Sequence, residues 1–317
     1  MPNIIDRSAI SQIIDLAPTA DLLPYIEQAF TAYSSGASVV PPVGTLTFQS
    51  PPGDVHIKYG YIKEDDYYVI KIASGFYDNP SLGLSSSNGM NLVFNQKTGL
   101  LETILLDEGY LTDVRTALAG AVVAKYLAPE KVEAIGIIGT GIQARLQLQY
   151  LKEVVDCRKV MVWGRSEEKL LAYQKEMTAH GFDIQLTKDS HALAKACNLI
   201  VTCTPATSPL LYADHLQPNT LITAMGADTL GKQELDLKVL QKADLIVMDS
   251  TSQCQHHGEI HKAFQNGLLA DKKMVELGNL ISSKKPKDYS GLIVADLTGI
   301  ATQDIQISKF VLDHFSD

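Results

Sequence analysis

The sequence predicts an α/β protein with a doubly wound parallel sheet in its middle and a smaller α+β domain built from the remainder. Three observations predict it. Between residues 132 and 248, short apolar runs alternate with helical patterns, as parallel strands covered by helices on both faces require. The first run, 134–138, passes straight into the glycine-rich stretch Gly139-Thr140-Gly141-Ile142-Gln143-Ala144, and a helical pattern follows through residue 155. A chain of 317 residues also exceeds what one hydrophobic core usually holds, so a second domain is expected.

The runs 160–163, 199–202, 221–224 and 245–248 supply the further strands of the sheet. Ahead of them, 55–61, 67–73 and 90–94 read as extended segments punctuated by Gly, Pro and Asn. After them, 291–296 reads as a strand and 305–315 as a closing helix, and this tail is expected to rejoin the first domain. The expected division is therefore 1–116 with 292–317, against 117–291.

Composition excludes several function classes. Apolar residues make up 45% and charged residues 20%, the balance of an ordinary globular protein. With 36 acidic against 27 basic residues and no basic run, nothing is suited to displacing counterions from nucleic acid. The start Met-Pro-Asn-Ile-Ile-Asp-Arg lacks the pattern of a signal peptide and no apolar run reaches spanning length, so no membrane partner and a cytoplasmic location are expected. Cys157, Cys197, Cys203 and Cys254 lack ligand-like spacing and read as reduced thiols. His257 and His261 stand four apart, but Gly258 interrupts them and the H-E-x-x-H order is missing. A solvated helix start, not a metal site, is expected there.

Strand, G-x-G-x-x-A and helix in immediate succession form a Rossmann-type dinucleotide site. Gly139 allows the tight turn, Gly141 lets backbone approach a pyrophosphate, and Ala144 lets the helix pack closely, with Thr140, Ile142 and Gln143 completing the loop. An NAD-preferring site usually ends its second strand in an acidic residue that binds the ribose 2′-hydroxyl. Here that strand ends in Gly164-Arg165-Ser166, which suits a 2′-phosphate. NADPH is the expected cofactor, with NADH possible, unless Arg165 is merely solvated and Ser166 merely a helix cap.

Other residues are placed where chemistry happens. Asp228 follows the strand 221–224 and so lies at the carboxyl edge of the sheet, where it either exchanges a proton with a substrate nitrogen or serves only as a turn residue. Arg115 falls in the expected first turn of a helix capped by Thr112 or Asp113. A cation is disfavoured there, so it reads as a carboxylate clamp or as the partner of Asp113 or Asp107. Lys71 interrupts the apolar strand Val69-Ile70-Lys71-Ile72, which is costly unless the ammonium is paired or lines a wet cavity. Alternation puts His56 and Lys58 on one face of their strand, lining a polar pocket or facing solvent.

Taken together, Pro41-Pro42, Lys71-Ile72-Ala73-Ser74-Gly75-Phe76, Leu111-Thr112-Asp113-Val114-Arg115-Thr116-Ala117, the Gly139 to Ala144 loop, Thr204-Pro205, Gly226-Ala227-Asp228, Gly231-Lys232-Gln233-Glu234-Leu235 and Thr298-Gly299 resemble the ornithine cyclodeaminase/μ-crystallin family. That family also includes archaeal-type alanine dehydrogenases and cyclic ketimine reductases. The resemblance implies a homodimer, an outer substrate-binding and dimerisation domain made by both chain ends, and an active site between it and the Rossmann domain. It also implies roles: Lys71 and Arg115 bind the substrate carboxylate, Asp228 handles the proton at the substrate nitrogen, and Thr204, Ser208, Thr298 and Gly299 lie along the nicotinamide.

The chain departs from the cyclodeaminase pattern where the substrate would be chosen. Val43 stands where many members carry an arginine, and His56 and Lys58 stand where ornithine cyclodeaminases carry an acidic residue and a methionine. A lysine there repels ornithine's second cation. The expected reaction is NADPH-dependent reduction of a cyclic imino acid, Δ1-pyrroline-2-carboxylate to L-proline, with the six-membered homologue as a further substrate. The alternatives are ornithine cyclodeamination, oxidative deamination of an amino acid such as alanine, and a μ-crystallin-like role in binding NADPH and a small ligand.

Overall fold

The computed structural model describes residues 1–283 and 290–315 and divides into two compact units, Met1–Arg115 with Ile300–Asp317, and Thr116–Gly299. The first unit opens with β1 (Asn3–Asp6), α1 (Arg7–Leu16) and α2 (Thr19–Ser34). The strands β2 (Ser38–Val39), β3 (Gly44–Gln49), β4 (Pro52–Ile62), β5 (Tyr67–Phe76), β6 (Ser87–Asn95) and β7 (Leu101–Leu106) follow. Among the described residues they form a seven-stranded sheet in the order β1-β7-β6-β5-β4-β2, with β3 paired to β4. Only the β1–β7 pair is parallel. The 55–61, 67–73 and 90–94 segments lie inside β4, β5 and β6, which run longer because each finds an antiparallel partner along its length.

Next, α3 (Tyr110–Leu127) crosses the division between the units. It starts earlier than the sequence suggests. Asp107, not Thr112 or Asp113, receives the Leu111 N–H on Oδ2 at 2.8 Å, so Arg115 sits in the second turn.

The second unit contains β8 (Ile135–Ile138), α4 (Ile142–Leu151), β9 (Lys159–Trp163), α5 (Glu167–Ala179), β10 (Asp183–Thr187), α6 (Ser190–Ala196), β11 (Leu199–Thr202) and β12 (Leu221–Ala224). It continues with α7 (Leu237–Lys242), β13 (Leu245–Met248), α8 (Thr251–Cys254), α9 (Ile260–Gln265), β14 (Met274–Glu276), α10 (Leu277–Ser282) and β15 (Ile293–Asp296). The sheet order is β10-β9-β8-β11-β12-β15-β13-β14, parallel throughout the described pairs. The order reverses between β8 and β11, where open α/β sheets bind ligands at their carboxyl ends. Strands β8, β11, β12, β13 and β15 are buried at every position, which is why they read as unbroken apolar runs instead of alternating ones.

The tail departs from expectation. Strand β15 does not rejoin the first domain but inserts between β12 and β13, so the division falls after Gly299 and not at 292. The run Ile-Val-Ala has no polar face to show solvent, and only an interior strand position buries it on both sides. The closing helix α11 (Ala301–His314) belongs to the first unit and packs against α2, β4, β5 and β6. Among the described residues no helix is long and apolar enough to cross a membrane.

Candidate active site

In the second unit the glycine-rich loop has the geometry its sequence asks for. Gly139 adopts φ +127°, a conformation that L side chains rarely take, and an added Cβ would press on Cys203 and Thr204. Beyond it, Gly141 is the N-cap of α4 without any side-chain cap, and a Cβ built on it meets nothing within 4 Å. The N-terminus of α4 is thus left uncapped by its N-cap side chain, as a site for a bound pyrophosphate requires. Ala144 is fully buried, Ile142 is exposed, and Thr140 packs where a Cβ on Gly164 would fall, while its carbonyl accepts from Arg145. Gln143 lies in the first turn of α4.

At the end of β9, Arg165 is exposed and Ser166 caps α5, accepting from the Lys169 N–H at 3.4 Å. Capping uses an acceptor lone pair, so the hydroxyl keeps its one donor for a ligand.

The loops after β11 and β12 are tied together by a residue that the sequence reading did not single out. Glu234, fully buried, accepts from the Thr204 N–H and hydroxyl (2.7 Å each) through Oε1 and from the Gly226 N–H (3.0 Å) through Oε2. Gly226 has to be glycine, because a Cβ there would overlap Glu234 and the Thr204 carbonyl. Glu259 in turn accepts the Glu234 and Leu235 N–H groups, and Asp296 accepts that of Ile260. Burial lifts the Glu234 and Asp296 carboxyls to about 7 and that of Glu259 well above its ordinary value. Asp249 receives the Thr298 and Gly299 N–H groups on one oxygen (2.9 and 2.6 Å), which fixes that turn. Ser208 lies between β11 and β12 with Thr204.

Asp228 stands beyond Gly226 at the carboxyl edge, with a side chain 52% exposed. Lys232 Nζ donates to its Oδ1 at 2.6 Å, and the Thr229 hydroxyl at 3.2 Å. The 256–261 stretch does lead into a helix, α9, as expected from sequence, but the helix start is buried and not solvated. It is anchored by buried Glu259, and Gly258 at φ +106° packs so closely on Asp296 that no Cβ would fit. Among the described residues no three His, Cys, Asp or Glu side chains are grouped to hold a metal. Burial raises the Cys197 thiol to about 12 and lifts Cys203 and Cys254 as well, which disfavours the thiolate that a nucleophile needs. A cavity of ≈ 1090 Å³ in this unit lies at the opposite, amino edge of the sheet, away from all these residues.

In the first unit, Lys71 and Arg115 come together on a third residue that sequence reasoning missed. Asp304 Oδ1 lies 2.7 Å from Lys71 Nζ and 3.2 Å from Arg115 Nε, and all three residues are at least 93% buried. Arg115 is thus paired, but with neither Asp113 nor Asp107. Gln303 Oε1 accepts from Arg115 Nη1 at 3.3 Å and from the Ile300 N–H at 3.1 Å, which ties the arginine to the start of α11. Burial lowers the Lys71 ammonium to about 7, with Asp304 opposing and Arg115 and Lys58 adding to the shift. Burial pulls the Asp304 carboxyl up, but Lys71, Arg115 and Lys58 together hold it below the ordinary value.

Lys58 stands directly opposite Lys71 in the β4–β5 register, and His56 opposite Ala73, so both share the face that carries Lys71. His56 Nε2 lies 3.3 Å from Asp54 Oδ1. Val43 immediately precedes β3 and is half-buried. The available signal for Asp304 was an acid, with Gln303, at the head of the closing segment. The predicted helix began one residue too late to include it.

Known proteins resemble this chain over nearly its whole length. An uncharacterized cyclodeaminase of Sinorhizobium fredii is 39% identical over 310 residues, 96% of this chain and 93% of that one. The Δ1-pyrroline-2-carboxylate reductase of Bacillus cereus is 27% identical over 92% of this chain and 91% of that one. Among solved structures, an archaeal alanine dehydrogenase dimer with bound NAD has a TM-score of 0.88 at 28% identity, covering 99% of this chain and 95% of the other. The iminosuccinate reductase of Paracoccus denitrificans in complex with NAD+ has a TM-score of 0.87 at 26% identity, covering 98% and 95%. The model of one family, ornithine cyclodeaminase/mu-crystallin, matches residues 7–317, and the chain belongs to that family.

Proposed function

We propose that this chain reduces a cyclic imino acid with NADPH, converting Δ1-pyrroline-2-carboxylate to L-proline and accepting Δ1-piperideine-2-carboxylate as well. The broader class, an NAD(P)H-dependent oxidoreductase of carbon–nitrogen bonds, is that of its named relatives. The observation that carries the reading is the buried cluster of the first unit. Two cations, Lys71 and Arg115, face one carboxylate, Asp304, and a buried excess of positive charge is costly until an anion joins it. The substrate carboxylate is that anion. Ornithine fits less well, because Lys58 on the same sheet face repels its terminal ammonium.

The Gly139 to Ala144 loop and the α4 N-terminus would hold the dinucleotide, Arg165 and the Ser166 hydroxyl would bind its 2′-phosphate, and Thr204, Ser208, Thr298 and Gly299 would line its nicotinamide, which would supply the hydride. Lys71 and Arg115 orient the substrate by its carboxylate, a positioning contribution. Asp228, ion-paired with Lys232, accepts a hydrogen bond from the protonated imine nitrogen and so favours the iminium, which takes hydride far more readily than the neutral imine. His56 and Lys58 line the substrate side of the sheet.

A second reading, reduction of an imino dicarboxylate such as iminosuccinate, is favoured by Lys58 alone: it adds a cation beside the carboxylate anchor, where a second carboxylate would be welcome. The test follows NADPH oxidation with both cyclic imines and with iminosuccinate formed from oxaloacetate and ammonia, alongside ammonia release from ornithine with NAD. Rapid oxidation with a cyclic imine is expected, and Asp228→Asn should slow it by about 10²–10⁴-fold while NADPH fluorescence still reports binding. Oxidation with iminosuccinate alone would select the second reading, and ammonia from ornithine would overturn both.

A further inference from the structure

Lys71 is a buried ammonium with three donors, and its partner among the described residues is Asp304. The charged groups that face it come from four directions: Lys58 on β4, Arg115 on α3, Asp107 between β7 and α3, and Asp304 on α11. Two of these are cations and, like burial itself, push the proton off Lys71. Of the two carboxyls, Asp107 serves as the α3 cap, and its burial raises it toward the neutral form. Asp304 is therefore the anion that opposes the loss. Its Oδ1 also lies against the Nε edge of Arg115, while Gln303, the preceding residue, takes Nη1. The remaining guanidinium donors then point in a direction set by α11.

Building on the function proposed above, we infer that Asp304 is a positioning residue for that reaction: it holds Lys71 as an ammonium and fixes the Arg115 guanidinium, so that both present their remaining donors to the substrate carboxylate. Its removal should weaken substrate capture at neutral and alkaline pH more than the step that follows capture.

The test compares the full-length protein with Asp304→Asn, which keeps the shape and removes the charge, and with Asp304→Glu, which keeps the charge. In the wild type, kcat/KM for Δ1-pyrroline-2-carboxylate should fall as pH rises through about 7. In Asp304→Asn that limb should move down by roughly one to three pH units, with KM raised more than kcat is lowered, and Asp304→Glu should return it toward its wild-type place. A substrate-free readout accompanies the kinetics: the ¹³Cε resonance of Lys71, assigned by its loss in Lys71→Arg, should titrate near 7 in the wild type and at least about one unit lower in Asp304→Asn. If Asp304→Asn leaves both the titration and the kcat/KM limb in place, the inference is overturned. If it does not fold, the Asp304→Glu profile decides, and a limb displaced as far as predicted for loss of the charge overturns it. A wild type inactive with every imine would sink the proposed function alone, since the Lys71 titration still reads the role of Asp304.

Discussion

At the scale of the residue, Lys71 shows how far one side chain constrains the rest. An ammonium placed on the helix-covered face of β5 costs several kcal/mol if left alone. The chain answers it with a carboxylate 233 positions away. Arg165 poses the opposite problem, a cation left in solvent at the end of β9 where a dinucleotide ribose would lie. Its proposed bond to the 2′-phosphate is of the charge-assisted kind, about 1.5–3 kcal/mol, so Arg165→Ala should raise the KM for NADPH by roughly 10- to 100-fold and leave that for NADH little changed. Steady-state kinetics with the two cofactors decide it, and equal losses for both would remove Arg165 from the cofactor preference.

At the scale of the element, the ends of β11, β12, β13 and β15 are held by buried carboxyls that receive backbone N–H groups, where hydrophobic contact could not satisfy those donors. Glu234 and Asp296 titrate near 7 in the fold, against 4.5 and 3.8 as ordinary side chains. The folded state therefore holds more protons than the unfolded one between about pH 4.5 and 7, so these groups make stability fall as pH rises through that window and then level off. Each contributes up to about 1.4 kcal/mol per pH unit. Glu234→Gln should flatten the decline by its share, read from chemical or thermal unfolding between pH 5 and 7. An unchanged slope would mean that Glu234 is already ionised at pH 5.

At the scale of the whole molecule, the sheet of the first unit has two unlike faces. One carries Lys58, Lys71 and Val69 and is packed by α11. The other carries Ile57, Tyr59, Ile70, Ile72 and Leu92, apolar but only half-buried, with Tyr59 38% exposed. An apolar sheet face of this kind suits a second copy of the chain. Light scattering should return twice the chain mass, and Ile72→Lys, which would bury an unpaired ammonium in such an interface, should return the single chain. A monomeric wild type would rule the homodimer out.

What the sequence determined by itself is what local pattern encodes. The parallel strands show as short apolar runs because both of their faces are buried, and β11, β12 and β13 begin and end where those runs do. The dinucleotide loop is legible because Gly139 takes a backbone conformation that no other residue meets as cheaply, and Gly141 puts no side chain in the open space before α4. Lys71 announced that it needed a partner, but not which one. Tertiary structure decided the rest: that β15 inserts between β12 and β13, that Asp107 starts α3, that Glu234 binds two loops into one support, and that Asp304 closes the charge cluster. Apart from the local Asp107 cap, these ties reach across tens to hundreds of residues, and neither periodicity nor composition carries information over that range; only the packed chain brings the groups within hydrogen-bonding distance.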